Sequence, residues 1–256
     1  MPTEPLRTRM LRGDILAGTF LKTPAYELVE ILARSGLDFI ALDAEHAPFD
    51  RARLDACLAI ARALDFPVLV RVPTGTADEI LKALDSGATG VVVPHVDSAE
   101  KAQAVARWAR FGHGGRGYAG STRWAGFATR TMPDILRQSQ AETIAIAQIE
   151  EPEGVEAIDA IAGTEGIDGV FVGPADLSVC LGTTDPAAPE LRAAMAKVGE
   201  AARRHGRAYM TFAGHSDAAA DLKALGVTMF FIASEHAFML TEARRTAKAL
   251  HALKDT

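Results

Sequence analysis

Apolar residues in this chain come in short, near-continuous runs that each end on a turn residue or a charge. Pro67-Val68-Leu69-Val70 leads to Arg71, Ile144-Ala145-Ile146-Ala147-Gln148-Ile149 to Glu150, and Val170-Phe171-Val172 through Gly173-Pro174-Ala175 to Asp176. Runs of this length without alternation predict strands buried on both faces, the mark of a parallel sheet covered by helices. Eight such strands are predicted, at Asp14–Leu21, Asp38–Asp43, Pro67–Arg71, Gly90–Pro94, Thr143–Glu150, Gly169–Val172, Arg207–Phe212 and Thr228–Ala233. The segments between them switch to a period of three to four, as in Leu54-Cys57-Leu58-Ile60-Ala61-Leu64 and Leu191-Met195-Val198, which predicts amphipathic helices. Gly36, Gly87, Gly206 and Gly226 sit where each helix must stop, because glycine accepts the left-handed C-cap conformation.

Strand and helix alternating eight times predict a closed (β/α)8 TIM barrel forming a single α/β domain over residues 1–256, with an open doubly wound sheet as the competing topology. One connection breaks the rhythm. About fifty residues separate the fourth and fifth strands, with a glycine-rich stretch from Arg110 to Trp124 that reads as a substrate lid or an oligomer contact.

Composition narrows the function. A formal charge of -6, a pI near 5.7 and the lack of any basic block argue against nucleic acid as a partner. No segment reaches the roughly 18 apolar residues of a membrane span, and the polar start has no apolar signal core, so a cytoplasmic protein is expected. The glycine-rich stretch matches neither a Walker loop nor a dinucleotide turn, so no nucleotide cofactor is expected. Cys57 and Cys180 form no disulfide or zinc spacing and read as reduced structural residues, and the seven histidines do not cluster.

The ends of the predicted strands would share the C-terminal rim of a barrel, where such enzymes keep their sites. Glu150 and Asp176 follow consecutive strands. Two neighbouring carboxylates there suit a hard divalent cation, although solvated or arginine-paired acids would show the same spacing. Gly173-Pro174-Ala175-Asp176 opens a helix whose amides would hold a substrate carboxylate, unless Asp176 is simply an N-cap. Arg71 would stabilise a developing enolate or hold a carboxylate. His46, oriented by Asp43 or Glu45, would act as acid and base. An imine mechanism needs a lysine in the barrel mouth, and Lys22 alone follows a strand, which favours metal-assisted chemistry.

The segments Gly18-Thr19-Phe20-Leu21-Lys22-Thr23-Pro24, Leu42-Asp43-Ala44-Glu45-His46-Ala47-Pro48, Val70-Arg71-Val72-Pro73, Gln148-Ile149-Glu150 and Phe171-Val172-Gly173-Pro174-Ala175-Asp176-Leu177-Ser178 occur in this order. In them the chain resembles the HpcH/HpaI family of metal-dependent (class II) pyruvate aldolases, typified by 4-hydroxy-2-oxoheptanedioate aldolase. The resemblance runs from about Leu16 to the final helix. It implies that Glu150 and Asp176 ligate Mg2+ or Mn2+, with Co2+ or Zn2+ as substitutes, and that His46 with Asp43 forms the acid/base pair. It further implies that Arg71, Gln148, Gly173, Pro174 and Ala175 bind substrate. The activity implied is reversible cleavage of a 4-hydroxy-2-oxo acid to pyruvate and an aldehyde through a metal-stabilised enolate. Oxaloacetate decarboxylation and citrate-lyase-like cleavage use the same enolate and are the alternatives. The family also implies a homohexamer, a trimer of dimers, with a last helix at about 237–253 exchanged between subunits; intramolecular closure of the barrel would need the same apolar stripe. Ala233-Ser234-Glu235-His236-Ala237 and Tyr118 to Trp124 depart from better-known members.

Overall fold

The computed structural model describes residues 4–255. Its eight strands are β1 (Leu16–Leu21), β2 (Phe39–Asp43), β3 (Val68–Arg71), β4 (Gly90–Val93), β5 (Ile144–Ile149), β6 (Gly169–Val172), β7 (Ala208–Ala213) and β8 (Met229–Ser234). All pair in parallel in chain order, and β1 also pairs with β8, so the sheet closes into a barrel. That closing pairing excludes the open sheet. The four glycines expected to stop helices all have positive φ, and Gly87 accepts the left-handed cap after helix Ala77–Ser86.

Strand periodicity sorts the residues into two cores. Outward positions such as Ile40, Leu42, Val68, Val70, Ala145, Ala147 and Val170 pack under the helices. Inward positions, among them Phe20, Phe39, Ala41, Leu69, Val92, Ile146, Phe171 and Phe231, fill the barrel. Phe231 stacks on Phe20 at 4.8 Å and meets Phe39 and Phe171 edge-on at 5.1 and 4.9 Å. Gly18 is inward too, and a Cβ there would lie 2.3 Å from the Phe39 ring, so its lack of a side chain makes room for that ring. One residue pair further along, the same parity delivers Lys22 after Phe20, Asp43 after Ala41, Arg71 after Leu69, Gln148 after Ile146 and Gly173 after Phe171. The barrel's own alternation therefore carries these residues from core to mouth.

The other end of the barrel is stoppered by a helix that was not expected, Leu6–Arg12, whose Leu6 and Met10 join the interior cluster. Arg7 from that helix and Arg110 both pair with buried Asp168, at 2.7 and 2.9 Å. The long β4–β5 connection contains helices Ala99–Trp108 and Met132–Glu142. Between them the chain lies along the barrel's flank. Arg116 pairs with Asp85, Arg123 pairs with Asp55, and the Trp124 amide donates to the Asp85 carbonyl. The guanidinium of Arg116 also sits 4.5 Å and 4.9 Å from the rings of Phe111 and Trp124. No residue of this segment lines the mouth, so within one chain the lid expectation is not met.

The last helix, Glu235–His251, does not close the barrel either. Phe238, Met239, Leu240 and Leu250 on it are exposed, and only Glu235 is buried. Cys57 is buried as expected, but Cys180 is exposed, because it falls at the end of the short helix Pro174–Cys180 rather than on a packed face. Among the described residues no helix is long and apolar enough to cross a membrane.

Candidate active site

At the C-terminal rim the structure opens a cavity of about 500 Å³, lined by Lys22, His46, Arg71, Asp176, Ser234 and His236 among others, with Phe20 and Phe171 at its apolar end. A larger groove lies at the opposite end of the barrel, around Arg7, Arg110 and Asp168, away from these residues.

Arg71 is the centre of the charged network. Its Nη2 lies 2.8 Å from Asp43 Oδ2, its Nε donates to Asp43 Oδ1 at 3.0 Å and lies 3.3 Å from Glu45 Oε2, and its guanidinium stacks 4.6 Å from the centroid of Phe20. Lys22 Nζ approaches Asp43 Oδ2 at 3.2 Å. Asp43 is completely buried. Burial alone would raise its carboxyl, but the Arg71 hydrogen bond and charge, the His46 amide and Lys22 together hold it below the usual carboxylate range. Glu45 goes the other way. Its burial outweighs the attraction of Arg71, and the negative charge of Glu150 adds to the rise.

The expected Asp43–His46 pairing takes a particular form. Asp43 Oδ1 accepts the His46 main-chain N–H at 3.1 Å, whereas the ring's carboxylate neighbour is Glu45, 3.7 Å from Nε2. Asp43 shapes the turn after β2 and fixes Arg71; Glu45 faces the imidazole.

Glu150 is buried just beyond β5. Its Oε1 accepts the His95 amide at 2.8 Å and lies 3.1 Å from His95 Nδ1, and its Oε2 accepts from the Gln148 carboxamide. Glu45, His95 and Glu150 each offer a ligand atom within 4.8 Å of the others, a group able to hold a metal ion. Within it Glu45 Oε2 is paired with Arg71 at 3.3 Å without a hydrogen bond, and beside it the buried Gln148 Oε1 has no hydrogen-bond partner. Hard oxygen donors and an unsatisfied buried acceptor are what a divalent cation needs, so the residues fit one. Asp176 is exposed on the first turn of helix Pro174–Cys180, lines the same cavity and lies outside that group.

Two residues were missed. His95, read as one of seven scattered histidines, sits directly after the buried run Val91-Val92-Val93-Pro94, the same signal that marked Arg71 and Glu150. Glu235 is buried at the start of the last helix, where its carboxylate accepts the amides of Lys22 at 3.0 and 3.1 Å and Thr23 at 2.7 Å. It thereby fixes the turn that presents Lys22.

Ionisable side chains gathered on the C-terminal rim of a closed parallel barrel define a TIM-barrel enzyme. The sequence profile of the HpcH/HpaI aldolase/citrate lyase family matches residues 16–242. A hydroxypyruvate/pyruvate aldolase of Paraburkholderia phytofirmans is 33% identical over 95% of this chain and 96% of its own length. A 5-keto-4-deoxy-D-glucarate aldolase of Klebsiella pneumoniae is 41% identical over 70% of each chain. The crystal structure of an HpcH/HpaI aldolase/citrate lyase family protein from Burkholderia cenocepacia superposes with a TM-score of 0.90 at 32% identity, covering 96% of this chain and 98% of that one. The chain belongs to the HpcH/HpaI aldolase/citrate lyase family. It is accordingly an aldolase, a carbon–carbon lyase.

Proposed function

We propose that the chain catalyses reversible cleavage of a 4-hydroxy-2-oxo acid into an aldehyde and pyruvate or a close 2-oxo acid such as hydroxypyruvate. The observation that carries this reading is the Asp43–Arg71 pair, buried on the Asp43 side and open on the Arg71 side to a cavity that also presents His46 and the Gly173–Asp176 turn. The relatives' names support a donor of pyruvate size.

In this reading a divalent cation, Mg2+ or Mn2+ with Co2+ and Zn2+ as substitutes, is held by Glu150 and Asp176. When bound, it supplies Lewis-acid stabilisation to the 2-oxo group. The remaining steps belong to the chain. Arg71, held rigidly by Asp43, places positive charge where the 2-oxo oxygen gains negative charge as the C3–C4 bond breaks. Gln148 binds substrate from the β5 side. The substrate carboxylate lies against Gly173, Pro174 and Ala175; since the Gly173 N–H is spent on the Ile149 carbonyl and Pro174 has none, the amides of Ala175 and Asp176 do the binding. His46 takes the proton of the C4 hydroxyl during cleavage and returns it in the aldol direction, with Glu45 Oε2 facing its ring at 3.7 Å. Lys22 Nζ is engaged by Asp43 Oδ2 at 3.2 Å, a pairing that does not suit an imine nucleophile.

The exposed stripe of Phe238, Met239, Leu240 and Leu250 supports a homo-oligomer, a trimer of dimers in which the last helix crosses to a neighbour.

Exchange of the pyruvate methyl protons in D2O, followed by NMR, tests the enolate step without any aldehyde. Exchange that needs a divalent cation and disappears in Arg71→Leu is expected. Exchange insensitive to EDTA, together with borohydride trapping of pyruvate on Lys22, would overturn the reading.

A further inference from the structure

The groove at the stoppered end of the barrel encloses about 1040 Å³, against about 500 Å³ for the mouth, and the reaction proposed above makes no use of it. Its walls come from the Leu6–Arg12 helix, the Ala99–Trp108 helix and the turn after it, the Met132–Glu142 helix, and helix Ile158–Gly163 with the turn leading into β6. Four guanidiniums, those of Arg7, Arg107, Arg110 and Arg207, line it against the two carboxylates of Asp168 and Glu165. That is an excess of two positive charges, in a chain whose formal charge is -6.

The fold does not consume this excess. Asp168 fastens this end of the barrel, its Oδ1 accepting from Arg7 Nε and Nη2 at 2.9 and 2.7 Å. Its Oδ2 accepts from Arg110 Nη2 at 2.9 Å and from the Ala145 amide at 2.8 Å, so its four acceptor positions are filled. Arg207 donates Nε and Nη2 to the carbonyls of Ala162 and Thr164 at 2.8 and 3.2 Å, bonds that leave its charge uncancelled. Arg107 is exposed, with its guanidinium 6.0 Å from the Trp108 ring. Among the described residues neither Arg107 nor Arg207 has a carboxylate partner, and Glu165 pairs with none of the four arginines.

Two polar atoms of the lining residues are also unpaired. Arg110 Nη1 is buried without a hydrogen-bond partner, and so is the hydroxyl of Ser139, a residue 2% exposed. Ala106, Phe111 and Leu136 add apolar surface to the same groove.

We propose that the groove binds a phosphate monoester of a small metabolite, at a site separate from the aldol centre. Such a group carries about 1.5 to 2 negative charges near neutrality and three strong acceptor oxygens. It therefore answers the excess of two charges, and the unspent guanidinium and hydroxyl donors match its oxygens. A single carboxylate would leave one positive charge unanswered. The apolar lining and the remaining volume take the organic part.

The test is calorimetric titration of the full-length protein with glycerol 3-phosphate, with inorganic phosphate and succinate as comparison probes. Wild type binds the ester saturably and more tightly than either comparison. Arg107→Gln and Ser139→Ala leave the Asp168 contacts in place and each weaken binding on the order of tenfold, the worth of one charge-assisted hydrogen bond. Ser139→Ala melts no lower than wild type, because it deletes a buried hydroxyl that has no partner. Lys22→Met, which removes a cation from the mouth, binds the ester as wild type does. Absence of saturable binding, an affinity unchanged in either groove variant, or binding lost in Lys22→Met would overturn the proposal. Inorganic phosphate or succinate bound as tightly as the ester would overturn it too, the first by leaving the apolar wall without a role and the second by showing a site for carboxylates.

Discussion

Replacing Arg71 by Leu strips a fully buried carboxylate of its main partner. Asp43 loses contacts of 2.8 and 3.0 Å and retains Lys22 at 3.2 Å and the His46 amide. Breaking a buried pair typically costs about 3–5 kcal/mol, and the surviving Lys22 places this case at the low end, about 3 kcal/mol. For a chain of this size that lowers Tm by about 6–12 °C. Retro-aldol activity falls further than stability accounts for, by about 10²–10³-fold, the usual consequence of losing a donor aimed at a developing oxyanion. Adding Asp43→Asn removes the stranded charge, so the double variant recovers most of the lost stability and none of the activity. The sign with pH follows from the lowered Asp43 carboxyl. A depressed folded value contributes stability that is present above the ordinary value of about 3.9 and is lost as pH falls through the folded one. The Tm gap between wild type and Arg71→Leu is therefore constant near neutrality and narrows in acid. Melting curves and pyruvate release measured across pH check this. A single variant that melts within about 2 °C of wild type, or a double variant no more stable than the single, would refute the reasoning.

Other outcomes are equally specific. A thiol reagent at pH 8 labels Cys180 alone in the native protein, since burial, with the charge of Glu27 adding, pushes the Cys57 thiol up to about 11; labelling of both before unfolding would contradict the packing. Because the unfolded thiol ionises near about 8.5, the same group makes stability fall, as measured by urea titration, when pH rises from there towards its folded value. Gly90→Ala puts a Cβ 2.4 Å from the Ile144 carbonyl on the paired strand and should cost about 1–3 kcal/mol in urea titration; an unchanged midpoint would show the barrel more yielding than described. Phe238→Glu combined with Met239→Lys should reduce the mass seen by native mass spectrometry to one subunit while the far-ultraviolet spectrum stays native, and an unchanged assembly would remove the helix from the interface.

The barrel was legible because its strands are buried on both sides, which leaves runs such as Val68–Val70 and Ile144–Ala147 without polar interruption. Rim residues were legible for the same reason: a charge placed directly after such a run has few positions to occupy other than the mouth. The Leu6–Arg12 helix was not, since its two buried residues, Leu6 and Met10, among arginines give too weak a stripe and its role comes from the barrel end it covers. Nor was the path of residues 110–131, which is set by contacts distant in sequence, Arg116 with Asp85 and Arg123 with Asp55. His95 follows a buried run as Arg71 does, and its role comes from the β4–β5 pairing that sets it beside Glu150; Glu235 meets the Lys22 turn only because β8 closes on β1. The last helix shows the limit from the other side. Its stripe is plain in the sequence, but whether it would cover its own barrel or another's could not be read from periodicity, and the exposed Phe238 and Met239 exclude the former.

In the proposed reaction Glu150 is required for cation-dependent aldol cleavage at the barrel mouth. The most direct measurement is pyruvate release from a 4-hydroxy-2-oxo acid by protein stripped with EDTA and then given Mg2+ or Mn2+, in wild type and Glu150→Ala. Activity that vanishes on stripping, returns with metal in the wild type and does not return in the variant is the result predicted. Full activity after stripping, or a Glu150→Ala variant that responds to metal as the wild type does, would contradict it.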